Sequence, residues 1–158
     1  MSIGSGFSLA QAVAFSPNGK TLAIAAGDKV QLWNVATQQP DGAVTIAGDG
    51  GDAALAFSPD GQLLATADTD GTVRLWDVDT QQQIGPAVTA SETGGTNAVA
   101  FSPNGGLLAT ANADGTGQLL DVAFPRDLTR AVCAIAGRSL TPREWSIYAP
   151  GEPYEKVC

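Results

Sequence analysis

One phrase, a Phe-Ser-Pro-Asn/Asp-Gly turn, returns three times in this chain and constrains its fold more than any other feature. It reads Phe15-Ser16-Pro17-Asn18-Gly19, Phe57-Ser58-Pro59-Asp60-Gly61 and Phe101-Ser102-Pro103-Asn104-Gly105, at spacings of 42 and 44 residues. An apolar run follows each copy: Leu22-Ala23-Ile24-Ala25, Leu63-Leu64-Ala65-Thr66 and Leu107-Leu108-Ala109-Thr110. A second anchor then recurs as Gln31-Leu32-Trp33-Asn34-Val35, Arg74-Leu75-Trp76-Asp77-Val78 and Gln118-Leu119-Leu120-Asp121-Val122, at spacings of 43 and 44 residues. Two independent anchors on one period mean a repeat architecture, in which each unit buries its apolar faces only against its neighbours. Within a unit, Pro fixes φ and lacks an N–H, so Ser-Pro-Asp-Gly is turn chemistry between two strands. In the second unit, Ala54–Phe57, Leu63–Asp68 and Val73–Asp77 read as strands, the latter two joined by a tight turn at Asp70-Gly71, and Ala87–Thr89 as a weaker fourth. Four short antiparallel strands per ~43 residues describe a propeller blade.

These residues resemble the WD40 repeat family. The Trp76-Asp77 pair, the Phe-Ser-Pro-Asp-Gly turn and the Asp-Gly hairpin six residues before Trp76 carry the resemblance, which covers about residues 9–122. It implies an all-β fold: a partial propeller of about three four-stranded antiparallel blades over 9–48, 49–91 and 92–122. The resemblance also exposes departures. The family's Gly-His pair before the first strand is absent, so its hydrogen-bond network to the Trp is incomplete in each blade. Leu120 stands where a third Trp is expected, and the first blade has a shortened hairpin at Gly27-Asp28-Lys29. Trp33, Trp76, Leu120, Phe15, Phe57 and Phe101 are the expected core anchors.

Known propellers close a ring with about four to eight blades. Three blades leave two open faces, and apolar patches of that size mark an interface or an aggregation risk. The chain is then part of a longer propeller, or a protomer that assembles with copies of itself, or a truncated remnant.

Periodicity stops at Val122. Residues 1–8 read as a flexible lead-in and 123–158 as a helical extension, with an apolar stripe of Leu128, Ala131, Val132 and Ile135 and a capping box at Thr141-Pro142-Arg143-Glu144. The charge changes with it: residues 1–121 hold 3 basic and 12 acidic side chains, residues 122–158 hold 5 and 4. The run from Cys133 to Trp145, with Tyr148 and Pro150-Gly151-Glu152-Pro153-Tyr154, resembles a segment that follows the last WD40 repeat in bacterial signalling proteins carrying a STAND-class P-loop ATPase. That resemblance implies a sensor or partner-binding region; no Gly-x-x-x-x-Gly-Lys-Ser/Thr occurs here. A bond between Cys133 and Cys158 would staple the tip to the helix, worth about 3 kcal/mol in the chain-entropy picture. The alternative is a buried Cys133 and an exposed, inert Cys158.

Chemistry narrows the function classes. The 158 residues include no His, which removes the usual general base and imidazole metal ligation. A net charge of -8 disfavours a phosphate backbone as partner. No apolar run is long enough to span a membrane, so a soluble cytoplasmic protein is expected. Asp68-Thr69-Asp70-Gly71 mimics a calcium loop, but Val73 stands where the sharp turn needs Gly. Asp77 and Asp79 share a strand face and read as a solvated strand end rather than an acid–base pair. No cofactor and no catalytic residue are therefore expected. The expected function is a non-catalytic interaction module, with a self-assembling structural domain as the alternative and a hydrolase as a weaker one. Gly- and Asp-rich loops at one end of the blades are the candidate binding surface: Asp28, Asp49, Asp52, Asp68, Asp70, Glu92, Asn112 and Asp114. Their charge points to a protein partner with a basic surface.

Overall fold

In a computed structural model the described residues are 10–27, 29–45 and 52–122, all within the first of the chain's two units, Met1–Val122. They form three antiparallel sheets with no helix among them. The first sheet is β1 (Ala10–Phe15), β2 (Thr21–Ala26), β3 (Lys29–Asn34) and β4 (Gln39–Thr45), paired in that order. The second is β5 (Asp52–Phe57), β6 (Leu63–Asp68), β7 (Thr72–Asp77) and β8 (Val88–Thr89). The third holds β9 (Thr96–Phe101), β10 (Leu107–Asn112) and β11 (Gly117–Asp121). Strand β8 is reduced to two residues because Gly85-Pro86 interrupts its approach, and proline has no N–H for a ladder. Among the described residues the third sheet has no fourth strand, so the expected third four-stranded blade is here three-stranded.

The recurring phrase earns its spelling at the first turn of each sheet. The Ser16 hydroxyl donates to Asn18 Oδ1 (2.9 Å) and accepts the Thr21 N–H (2.9 Å), while Lys20 N–H donates to the same Oδ1 (2.9 Å). Ser58 and Asp60 repeat this at 2.6, 2.9 and 3.2 Å, and Ser102 and Asn104 at 2.7, 2.9 and 3.0 Å. Asn or Asp serves equally because only a carbonyl-type oxygen is used. The residue after each Trp closes the next turn: Asn34 Oδ1 accepts the Ala36 and Thr37 N–H groups, and Asp77 Oδ1 accepts the N–H and hydroxyl of Thr80. Asp77 is thus a turn former.

Strand alternation gives every sheet two unlike faces. One is small: Ala12, Ala14, Ala23, Ala25 and Leu32 in the first sheet, then Ala54, Ala56, Ala65, Ala67 and Leu75, then Ala98, Ala100, Ala109, Ala111 and Leu119. The other is large: Val13, Phe15, Leu22, Ile24 and Trp33; Leu55, Phe57, Leu64, Thr66 and Trp76; Val99, Phe101, Leu108, Thr110 and Leu120. The sheets join large face to small face. Leu64 and Trp76 of the second pack on Ala23, Ala25, Val30 and Leu32 of the first. Leu108, with Val99, Phe101 and Leu120 of the third, packs on Ala65, Ala67, Val73 and Leu75 of the second. The innermost strands β1, β5 and β9 lie side by side at these joints.

The expected anchors divide accordingly. Trp76 is buried, and Phe57, Phe101 and Leu120 pack at the edges of the two cores. Phe15 is no core residue among the described residues: it is 63% exposed, because none of the described sheets packs on that part of the first sheet's large face, whereas Leu22 and Ile24 on it are 7% exposed. Trp33, on that same face, is only half-buried. The N-terminal lead-in, the helical extension with Trp145, and Cys133 and Cys158 lie outside the described residues.

Candidate binding surface at the loop end

Antiparallel pairing sends the two kinds of connection to opposite ends. The Ser-Pro turns and the β3–β4 and β7–β8 turns lie at one end; the β2–β3, β6–β7 and β10–β11 hairpins and the connections between sheets lie at the other. The second end carries the acidic loops.

At the β6–β7 hairpin, Asp68 is fully buried, and its Oδ2 accepts from the Arg74 guanidinium at 3.0 Å. The same guanidinium donates to the Thr72 hydroxyl (3.0 Å) and lies 3.9 Å from Asp70. Burial raises the Asp68 carboxyl above its ordinary range, with the negative charge of Asp70 adding to it; the Thr69 N–H and Arg74 pull the other way. Asp70 closes the hairpin, its Oδ1 accepting the Thr72 N–H (2.8 Å) and hydroxyl (2.7 Å). One layer inward, the Trp76 indole donates to the Thr66 hydroxyl at 3.1 Å. The first sheet has Ile24 where the second has Thr66, and the Trp33 indole N–H is buried without a partner. The third sheet has Thr110 but Leu120, so it keeps the acceptor and lacks the donor.

The third sheet's hairpin is tied to the loop that enters it. Asp114 Oδ1 accepts the Thr116 N–H (2.9 Å) and hydroxyl (2.6 Å), and its Oδ2 accepts the hydroxyls of Ser91 (2.7 Å) and Thr93 (3.3 Å). These bonds, the Thr116 and Ser91 hydroxyls foremost, hold its carboxyl down at about 2. Asn112 is buried: its amide donates to Ala90 O (2.7 Å) and the Thr116 hydroxyl (3.0 Å), and its Oδ1 accepts from Thr96 (3.1 Å).

Two sequence expectations change on this geometry. Asp68 and Asn112 do not face a partner, because both are buried and all their polar atoms serve the hairpins and the adjoining loop. Asp70, Glu92 and Asp114 are exposed at the loop end. Asp28 and Asp49 lie outside the described residues, and Asp52 opens β5, with its side chain outside the description. Sequence reasoning missed Arg74, Ser91 and Thr93. A lone cation among acidic neighbours was a signal for Arg74; nothing marked Ser91 and Thr93, since their partner lies over 20 residues away. Among the described residues no cluster of three or more His, Cys, Asp or Glu could hold a metal, and no helix is long and apolar enough to cross a membrane.

The arrangement has counterparts among known proteins. Residues 40–77 and 87–121 match the family model for the WD domain, G-beta repeat. Each matched WD repeat spans the outer strand of one sheet and the first three strands of the next, β4–β7 and then β8–β11. Two solved structures share the fold: "Crystal structure of RRP9 WD40 repeats" (TM-score 0.69, 20% identity) and "Structure of U3-55K" (TM-score 0.68, 19% identity). Each match covers 75% of this chain, which spans 37% and 38% of those chains' lengths. The three sheets are therefore consecutive blades of a WD40-type propeller fold. WD repeats generally serve as protein-interaction scaffolds, and their propellers are generally non-catalytic.

Proposed function

We propose that this chain is a non-catalytic docking module, whose acidic loop end binds a protein partner with a basic surface. The observation that carries this is the charge of that end across the second and third blades. Asp70, Glu92 and Asp114 are exposed, and the one cation between Asp68 and Thr116, Arg74, is buried against Asp68. Such a field speeds encounter with a cationic surface and selects against anionic ones. The loop is held by Asp114 rather than left free, so little ordering cost attends binding. The tail's resemblance to the segment after the last WD repeat of STAND-class proteins supports a finer form of the same reading: the sensor region of a bacterial signalling protein, working in the cytoplasm.

A lysine-rich peptide is the first probe. Titration by calorimetry should show binding that weakens steeply between about 50 and 200 mM salt. Asp70→Asn with Glu92→Gln should weaken it at least about threefold. Binding that ignores both salt and these substitutions would refute the acidic-surface reading.

A further inference from the structure

The joint between blades follows one rule, large face on small face, and among the described residues no blade packs on the first blade's large face or on the third blade's small face. The first blade's open large face presents Val13 at 64% and Phe15 at 63% exposure. The third blade's open small face presents Leu119 at 71%, beside Ala98, Ala100 and Ala111, all exposed. These residues are the same types, position for position, that are sealed inside the two internal joints. Ala98, Ala100, Ala109, Ala111 and Leu119 repeat the Ala, Ala, Ala, Ala and Leu of the first and second blades. Leu32 and Leu75 at the matching position are 2% and 8% exposed. On the large side, Phe15 and Leu22 repeat Phe57 and Leu64, which fill the joint between the first two blades. Ile24 stands where the second blade has the polar Thr66; Leu22 and Ile24 are themselves 7% exposed, so the open part of this face is the strip of Val13 and Phe15.

We propose that the occupant of both faces is a second copy of this chain. The large face of one copy's first blade seats on the small face of the other copy's third blade, and the reciprocal contact closes a ring of six blades. Six falls within the four to eight that close propellers. A contact between two different patches closes into a ring only when the rotations sum to a full turn, and here two copies suffice. Each new joint buries a face of the same make as the joints already inside the chain, and one copy supplies both complementary halves. This goes beyond the docking reading, since the faces involved are not the loop end.

The mass of the full chain in solution, measured by light scattering after size exclusion, tests it. The expected value is twice the 16.0 kDa chain. Phe15→Glu spoils the large face and Ala100→Arg the small face; both positions are exposed within one chain, so the strand signal in circular dichroism should persist. Each variant alone should run at the single-chain mass. An equimolar mixture should recover the doubled species, containing one chain of each, because one unaltered joint remains. A wild-type chain at 16.0 kDa would overturn the proposal and leave these faces to further blades or to residues outside the described ones. A doubled species that survives in both variants, or that fails to return in the mixture, would overturn it as well.

Discussion

At the scale of single residues, the donor–acceptor pairing of Trp with Thr decides how well each blade is fastened. Only the second blade has both partners, Trp76 and Thr66, at 3.1 Å. Thr66→Val leaves a buried indole N–H unmet and should cost about 1–2 kcal/mol in chemical denaturation. The two hairpin aspartates behave oppositely with pH. Asp114 is depressed to about 2 from an ordinary 3.8, so its contribution is present above about pH 4 and lost as pH falls toward 2. Asp68 is raised, so the native state binds its proton more tightly than the unfolded chain does, and stability rises as pH falls toward 3.8 from above. The windows adjoin without overlapping. Asp114→Asn should flatten the stability profile below pH 4 and lower it by a pH-independent amount above. The burial of Asp68 makes a second contrast: Asp68→Ala removes the buried acceptor of both the Arg74 guanidinium and the Thr69 N–H and should cost about 3 kcal/mol. Asp70→Asn, at an exposed and longer contact, should cost under about 1 kcal/mol.

At the scale of strands and turns, two glycines with nearly identical backbones separate strain from crowding. Gly71 and Gly115 close corresponding hairpins at φ of +84° and +83°. A Cβ at Gly115 would meet open space, whereas at Gly71 it would strike the backbone carbonyls of Ser91 and Gly94. Gly115→Ala should therefore cost about 1 kcal/mol, the strain of the left-handed backbone alone. Gly71→Ala should cost at least about twice that, because the Ser91 carbonyl belongs to the loop that enters the third blade. Thermal denaturation of the two variants under one condition reads the difference. The turns themselves were legible in the sequence, since Ser16, Asn18 and their copies act within seven residues. The side chains of Asp68 and Asn112 were not. Asp-Thr-Asp-Gly and Asn-Ala-Asp-Gly mark exposed hairpins, and only the Arg74 and Ala90 contacts, contributed by a neighbouring strand and loop, show that the first residue of each points inward.

At the scale of the whole molecule, the blades hold one another through few large side chains. Leu64 and Leu108 are 1% and 0% exposed, each lodged in one joint. Leu64→Ala and Leu108→Ala should each lower stability by about 3 kcal/mol, the larger loss falling where the alanine-lined face closes in less on the space left behind. That the chain forms successive antiparallel sheets was readable from the period, because a periodic chain folds by neighbour contacts. The direction of stacking was not, since alternation defines two faces per strand without saying which neighbour each one meets. That direction separates the two blade tryptophans optically. Trp76 is sealed inside a joint with its indole bonded, while Trp33 lies half-buried on a face that no described blade of its own chain covers. In a Trp145→Phe background, acrylamide should leave Trp76 largely bright and should quench Trp33 more readily in the single-chain Phe15→Glu variant than in the assembled chain, so the chain carries two unlabelled reporters, one for a joint within the chain and one for the joint between copies.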